Sequence, residues 1–236
     1  MNTETDAKKV ESILLEVYER LYQCYGPQGW WPGEGPLEVV LGAILTQAAA
    51  WRNVELALKN LKDAGLWSLE AIRHCPHEKL AATIRPCGYY ITKARKLKAF
   101  AEYINQHYQG SLEAFLSQDT QQLRAELLSI YGIGPETADD IVLYAAEKPS
   151  FVIDAYTRRI LHRMGLWPGR LSGKYEDLQR LFHENLPEDG GLFNEYHALL
   201  DRHAKETCAK RPRCHDCCLR DICATSRNYQ TNSSAS

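Results

Sequence analysis

The stretch Leu127–Ala145, LLSIYGIGPETADDIVLYA, decides the fold of this protein. Apolar residues keep helical spacing up to Tyr131, the segment Gly132–Gly134 interrupts that spacing, and Pro135 suits the first turn of a second helix. Two glycines that flank one apolar residue permit a tight turn with positive φ. The sequence therefore predicts two helices joined by a short hairpin.

The hairpin is open to two interpretations. Free amide groups at the start of the helix after Gly134 form a site for an anion, so a DNA phosphate can bind there without any reading of the bases. The same residues also fit an ordinary corner between two helices of a bundle. The hairpin alone does not decide between DNA binding and simple packing.

The 236-residue chain has the composition of an ordinary globular protein, with 44% hydrophobic and 25% charged residues. Helical spacing runs from one end to the other, and only Phe151–Ile153 looks strand-like, so we predict an all-α fold. The longest uncharged apolar run, Val39–Trp51, is shorter than the ~18 residues that a membrane span needs. The N-terminus lacks the apolar segment of a signal peptide. We therefore expect a cytoplasmic protein without a membrane partner.

The formal net charge of −2 gives no general indication of a nucleic-acid partner, so such a partner has to be argued from local features. Asp154 follows an apolar stretch and precedes a predicted helix. It suits a helix N-cap, or a functional carboxylate at the mouth of a cleft. Arg158, Arg159 and Arg163 line the helix that follows, either to neutralise phosphates or as a solvated face.

Five of the eight cysteines crowd together near the C-terminus. Four of them form the pattern C-x5-C-x2-C-x5-C, namely Cys208, Cys214, Cys217 and Cys223. In a reducing compartment such crowding indicates metal or cluster ligation before disulfides. The spacing suits a [4Fe–4S] cluster or a structural zinc ion and does not separate the two. Cys218 is a spare that could replace Cys217.

The hairpin, Asp154 about twenty residues beyond it and the C-terminal cysteines together resemble the helix-hairpin-helix DNA glycosylases of the endonuclease III superfamily. The resemblance covers roughly Trp30 to Cys223. It implies two lobes: a six-helix barrel lobe with the hairpin, residues 34–148, and a second lobe of N- and C-terminal helices, residues 1–33 and 149–223. The second lobe carries Asp154 and a four-cysteine cluster loop. We expect residues 224–236 to be a disordered tail.

The resemblance also implies how the parts are used. Double-stranded DNA lies across the groove between the lobes, the damaged nucleotide is flipped into it, and Asp154 is the catalytic residue. The implied DNA-binding residues are Gln47, Lys93, Gly132, Ile133, Gly134 and Thr137. The family pattern C-x6-C-x2-C-x5-C holds a [4Fe–4S] cluster, and this chain is one residue shorter in the first gap. We expect a monomer, associated with the nucleoid if the organism is a prokaryote.

One departure from the family pattern concerns the catalytic amine. Bifunctional members carry a lysine in a motif like GVGRKTA, whereas Gly132–Ala138 reads GIGPETA, so Glu136 occupies the lysine position. A carboxylate cannot form a Schiff base. The sequence therefore predicts a monofunctional enzyme that uses water as the nucleophile, unless a lysine from elsewhere, such as Lys174, takes over.

A second departure concerns tryptophans. Trp30, Trp31 and Trp51 lie near the helices that should line the base pocket. Each fits core packing, but electron-rich indoles also attract a flat cationic ring such as a purine alkylated at N3 or N7. The segments WWP, LEVVLGAILTQ, RPCGYYITKARKL and GIGPETAD look most like the 3-methyladenine DNA glycosylase branch, in which aromatics at these positions sandwich the base.

The leading hypothesis is a monofunctional DNA glycosylase that excises N-alkylated purines by base flipping in base excision repair. A cationic alkylpurine is a good leaving group, so Asp154 only has to stabilise an oxocarbenium-like sugar and to orient or deprotonate water. Two alternatives stay open: a bifunctional endonuclease III-like glycosylase/AP lyase acting on oxidised pyrimidines, and a non-catalytic DNA-damage-binding protein.

Overall fold

The computed structural model describes residues 3–31, 33–167 and 173–227, and only the backbone of residues 3–8. These residues form helices and loops and contain no strand, so the predicted all-α fold is confirmed. The strand-like segment Phe151–Ile153 is extended but pairs with no strand among the described residues, and its three side chains have no exposed surface. None of the described helices is long and apolar enough to cross a membrane.

The chain divides into two compact units. The hairpin unit spans Trp31–Ser150, and the discontinuous unit combines Met1–Trp30 with Phe151–Ser236. The sequence placed the corresponding boundaries at 34–148 and at 1–33 with 149–223. Within the expected disordered tail, residues 224–227 form a helical turn, and residues 228–236 lie outside the described part of the chain.

The hairpin unit contains eight of the α-helices in the described residues. They are α2 (Pro36–Leu45), α3 (Trp51–Asp63), α4 (Leu69–His74), α5 (His77–Thr83), α6 (Tyr90–Tyr108), α7 (Leu112–Leu116), α8 (Thr120–Ser129) and α9 (Pro135–Asp140). A 3-10 turn, Arg85–Cys87, precedes α6, and α9 continues directly as a π-helix, Ile141–Ala145. The discontinuous unit contains α1 (Thr3–Tyr25), α10 (Ala155–Met164), α11 (Tyr175–His183) and α12 (Gly190–Glu206).

Local sequence explains where several of these helices begin. The hydroxyl of Ser68 accepts a hydrogen bond from the Ala71 amide at the start of α4, and Asp119 accepts from two amides at the start of α8. Such caps satisfy amide groups that have no partner within the helix. Pro36 opens α2 as predicted, because the first turn does not need its missing N–H.

Each unit has its own core. In the hairpin unit, α6 packs against α2, α4, α5 and α7 and buries Leu97, Phe100 and Ile104. In the discontinuous unit, the rings of Phe151 and Phe182 stack with centroids 3.6 Å apart, and the edge of the Tyr196 ring packs against both. Phe151–Ile153 thus supply core residues for this unit instead of starting a sheet.

Candidate functional site

The hairpin between α8 and α9 has the predicted geometry. Gly132 has a φ of 85°, in the left-handed region that favours glycine, and Ile133 between the two glycines is buried. A Cβ on Gly132 would overlap the side-chain stem of Lys96, so this position needs glycine for space as well as for conformation. Gly134 is the N-cap of α9, and Pro135 occupies the first turn.

The side chain of Gln47 is bound to this hairpin. Its Nε2 donates to the carbonyl of Gly132 at 3.1 Å and to Oγ1 of Thr137 at 2.9 Å. Its Oε1 accepts a hydrogen bond from Nζ of Lys96. The structure therefore brings five of the predicted DNA-binding residues together, because Ile133 and Gly134 complete the turn that Gln47 contacts. It adds Lys96, which was not among them.

The structure contradicts the prediction for Lys93. The sequence predicted that Lys93 faces DNA, but the residue is only 1% exposed. Its Nζ donates to the carbonyl of Leu45 at 2.8 Å and to that of Cys87 at 2.7 Å. These carbonyls end α2 and the 3-10 turn, where a cation is favourable. Burial lowers the pKa of Lys93, and the charge of Cys87 partly opposes that shift.

Several side chains near the start of α6 are exposed, within the segment RPCGYYITKARKL that carries part of the resemblance. Tyr89 is 74% exposed and has a φ of 45°, which is unusual for a non-glycine residue, and Ile91 is 60% exposed. Close by in sequence, the Arg95 guanidinium lies 4.3 Å from the centre of the Tyr131 ring, next to the hairpin. The segment GYYITKAR thus carries two exposed apolar side chains and brings Arg95 to Tyr131.

Two of the three predicted pocket tryptophans meet in the hairpin unit. The rings of Trp31 and Trp51 pack edge to face, with centroids 5.0 Å apart at 85°. Tyr144, on the π-helix, lies 5.4 Å from Trp31 at 55° and was missed, because its contact joins segments that are distant in sequence. Trp30 belongs to the discontinuous unit and is half-buried.

Asp154 is the N-cap of α10. Its Oδ1 accepts a hydrogen bond from the Thr157 amide at 2.7 Å, and the side chain keeps part of its surface exposed. The buried imidazole of His197 lies within electrostatic range: burial lowers the pKa of His197, and the carboxylates of Asp154 and Asp201 oppose that shift. Because the cap fixes one oxygen, the carboxylate is held in place, as an orienting or charge-stabilising group must be.

The arginines after Asp154 bind the C-terminal loop. Arg159 donates to the carbonyls of Cys208 and Ala204, each at 3.0 Å. Arg163 donates to the carbonyl of Cys208 at 3.0 Å, to its Sγ at 3.1 Å and to the carbonyl of Ala209 at 2.7 Å. The sequence analysis expected these arginines either to neutralise phosphates or to form a solvated face. In the structure, Arg159 and Arg163 do neither and instead hold the cysteine loop in place.

The four cysteines of the predicted cluster motif line a common cavity beside Arg163 and His203: Cys208, Cys214, Cys217 and Cys223. Burial, together with weaker repulsion from the thiolates of the other three cysteines, raises the pKa of Cys217 to about 11. Cys218 does not line this cavity and interacts with Cys24 instead. Among the described residues no three ligands are close enough for a single metal ion. The four thiols around this one cavity are donors of the kind that an iron–sulfur cluster or a structural zinc ion takes.

Comparison with known proteins agrees with this arrangement. Residues 41–188 match the family described as "HhH-GPD superfamily base excision DNA repair protein". A protein of Methanocaldococcus jannaschii named "Putative DNA repair glycosylase MJ1434" is 43% identical over 212 residues, which make up 89% of this chain and 96% of the relative. Endonuclease III of Sulfolobus acidocaldarius is 32% identical over 186 residues, 78% of this chain and 79% of the relative.

Solved structures show the same fold. The 3-methyladenine DNA glycosylase MagIII of H. pylori, bound to 1,N6-ethenoadenine, superposes with a TM-score of 0.70 at 28% identity, covering 85% of this chain and 97% of that one. An endonuclease III–DNA complex superposes with a TM-score of 0.80 at 19% identity, covering 94% and 98%. With the hairpin and the family match, these findings show that the chain is a DNA N-glycosylase and belongs to the HhH-GPD superfamily of base excision DNA repair proteins.

Proposed function

We propose that this protein is a monofunctional DNA glycosylase that excises N-alkylated purines. The observation that carries the proposal is the aromatic cluster of Trp31, Trp51 and Tyr144 in the hairpin unit. Electron-rich ring faces attract a flat, positively charged ring more than a neutral one. An alkylated purine is such a ring, whereas an oxidised pyrimidine is neutral, so the cluster favours the alkylated base. Trp30 is proposed as a further aromatic of this pocket.

The absence of a lysine from the hairpin motif supports hydrolysis over lyase chemistry. Glu136 lies in the first turn of α9, where an acidic side chain is favourable, and it cannot form a Schiff base. Lys93 does not replace the missing amine, because its Nζ is buried and donates to two carbonyls. Lys174, the other lysine considered as a source of the amine, is the N-cap residue of α11 in the discontinuous unit. We propose that water is the nucleophile.

Asp154 is proposed to act on the sugar of the flipped nucleotide. The bond between C1′ and the purine nitrogen breaks, and its electron pair leaves with the base, whose positive charge is thereby neutralised. The carboxylate stabilises the cationic sugar and accepts a proton as water adds to C1′. The hydrogen bond from the Thr157 amide holds one carboxylate oxygen, so the group needs little rearrangement during the reaction.

The hairpin is proposed to bind the DNA backbone. The backbone around Gly132, Ile133 and Gly134 and the hydroxyl of Thr137 are proposed to contact phosphate, which positions the duplex without reading its sequence. Gln47, which is bound to the same hairpin, and the exposed Tyr89 are proposed to contact the DNA where the flipped nucleotide has left the stack.

Cys208, Cys214, Cys217 and Cys223 are proposed to hold a [4Fe–4S] cluster, with a zinc ion as the alternative. When bound, the cluster would cross-link the four cysteine thiolates. The chain's own contribution is the hydrogen bonding of Arg159 and Arg163 to the Cys208 carbonyl and, for Arg163, its thiol, which fixes the first ligand. This loop also carries Lys210 and Arg211, whose positive charge favours DNA.

Incubation with methylated duplex DNA, followed by chromatography of the released bases, tests the proposal. We expect free 3-methyladenine or another N-alkylpurine, and no covalent adduct after borohydride reduction. Release of oxidised pyrimidines together with a trapped adduct would establish the bifunctional alternative. Tight binding to damaged DNA without release of any base would establish the non-catalytic one. Either result would overturn the proposal.

A further inference from the structure

Gly42 is placed where the helix itself gives no reason for a glycine. It lies inside α2, is buried, and has helical backbone geometry. A glycine in a helix interior is unfavourable compared with alanine, because it loses more conformational freedom on folding. The reason for a glycine must therefore lie in what packs against it.

The indole of Trp31 occupies the space of the missing side chain. A Cβ on Gly42 would lie 2.8 Å from Cζ2 of Trp31 and 3.5 Å from its Cε2. The first of these distances is well inside van der Waals contact, so the ring would have to move. A Cβ on Gly33 would also be close, at 3.2 Å from Cδ1 of Trp31. Two glycines thus make room for this one ring.

Tyr144 confines the same indole from another segment. It is only 7% exposed, and its ring centre is 5.4 Å from that of Trp31. Tyr144 lies in the π-helix Ile141–Ala145. A π-turn contains more residues than an α-turn, so it rotates the side chains that follow relative to α9, and such segments often mark functional sites.

We infer that Gly42 and Tyr144 are positioning residues that fix the orientation of Trp31 and thereby determine how well the pocket accepts a flat cationic base. The inference rests on the proposed function and adds two residues to it. Edge-to-face packing against Trp51 is sensitive to ring orientation. A shift of Trp31 therefore changes the position of any base that stacks against it, and small misplacements of a reacting group slow catalysis strongly.

A double-mutant cycle tests whether Gly42 acts by positioning Trp31. Gly42→Ala in the natural protein should lower the single-turnover rate of alkylpurine release by roughly tenfold or more. In a Trp31→Phe background, which lacks the second ring of the indole, the same substitution should change the rate less than about twofold, because the clash is gone. Equal losses in both backgrounds, or no loss with Trp31 present, would overturn the inference.

Two further measurements distinguish a change in the orientation of Trp31 from general damage to the folded protein. Affinity for undamaged duplex DNA should stay unchanged in Gly42→Ala, because the hairpin contacts are untouched. Tyr144→Leu should lower the release rate more than Tyr144→Phe, which keeps a ring against Trp31. An equal loss in the two Tyr144 variants would contradict the role of the ring.

The inference and the proposed function can fail separately. If the natural protein releases no alkylated base, the proposed function is wrong, and near-ultraviolet circular dichroism still tests the orientation of Trp31. Gly42→Ala should alter the indole bands when Trp31 is present and leave the spectrum of the Trp31→Phe protein unchanged. If alkylpurines are released but the effects of Gly42→Ala and Trp31→Phe on the free energy of activation simply add, only the inference is wrong.

Discussion

Asp139 has no exposed surface, and its two carboxylate oxygens accept hydrogen bonds from Nε and Nη2 of Arg124 at 2.7 and 3.0 Å. The hydroxyl of Ser150 donates to the same carboxylate at 2.5 Å. This pair joins α8 to α9 on either side of the hairpin, with the carboxylate fully buried and the guanidinium partly exposed.

The first prediction concerns this ion pair. Arg124→Met should lower the free energy of unfolding by about 3–5 kcal/mol, because it leaves a buried carboxylate without its cation. Lys59→Met serves as the control, since Lys59 and Asp63 form an exposed pair on α3 and should contribute less than ~1 kcal/mol. Urea unfolding measures both. Similar small effects from the two substitutions would show that the Asp139 pair does not hold the hairpin.

The second prediction concerns the buried amine of Lys93, whose pKa is lowered from 10.5 chiefly by burial. Below the lowered pKa both the folded and the unfolded chain carry the proton, and the cost of burying the charge is present in full. Between that pKa and 10.5 the unfolded chain binds a proton that the folded chain has released, so stability rises with pH.

The stability of the natural protein relative to Lys93→Met should therefore increase as the pH approaches 10.5. Urea unfolding at a series of alkaline pH values measures the difference, which cancels the titrating groups that do not interact with Lys93. A constant difference, or one that falls with pH, would show that the ammonium of Lys93 is not desolvated in the folded protein.

The third prediction contrasts Lys93 with Lys96. The stem of Lys96 packs over Gly132 and its ammonium contacts Gln47, so it lies at the proposed DNA surface. Lys96→Met keeps the stem and should reduce the slope of log affinity against log salt by about 1. Lys93→Met should leave this slope unchanged. Fluorescence anisotropy with undamaged duplex at several salt concentrations decides, and the opposite result would restore the original assignment of Lys93.

The fourth prediction separates two neighbouring cysteines. Cys217 lines the cavity with the other three cysteines of the motif, whereas Cys218 does not. Cys217→Ser should lose iron, acid-labile sulfide and the broad visible absorbance of an iron–sulfur protein, and Cys218→Ser should keep all three. Zinc in place of iron in the purified protein would favour the alternative metal. Loss of the cluster from Cys218→Ser would show that the ligand set is different.

Much of the fold could be predicted because its signals are local. Helical spacing, the glycines of the hairpin, Pro36 and the N-cap Asp154 each depend on a few neighbouring residues, and the structure contains all of them. Phe151–Ile153 looked like a strand because a continuous apolar run marks burial without specifying the backbone conformation.

The parts of the site that could not be predicted from the sequence depend on contacts between segments that are distant along the chain. Lys93 has the sequence context of a surface lysine, and only the folded chain brings the carbonyls of Leu45 and Cys87 to its Nζ. The same holds for Tyr144 beside Trp31, and for Arg163, which binds the cysteine loop. Charge and aromatic character can be read from a sequence, but the partner of a side chain cannot.

Release of alkylated purines by an Asp154→Asn variant tests directly whether the Asp154 carboxylate drives base excision. Asparagine caps a helix as well as aspartate does, so the fold should persist. Asp119→Asn is the matched control, because Asp119 caps α8 in the same way and lies outside the proposed site. Under single-turnover conditions on methylated duplex DNA, Asp154→Asn should release base about a thousandfold more slowly than the natural protein, with unchanged DNA affinity, and Asp119→Asn should match the natural rate. A fully active Asp154→Asn protein would contradict the account.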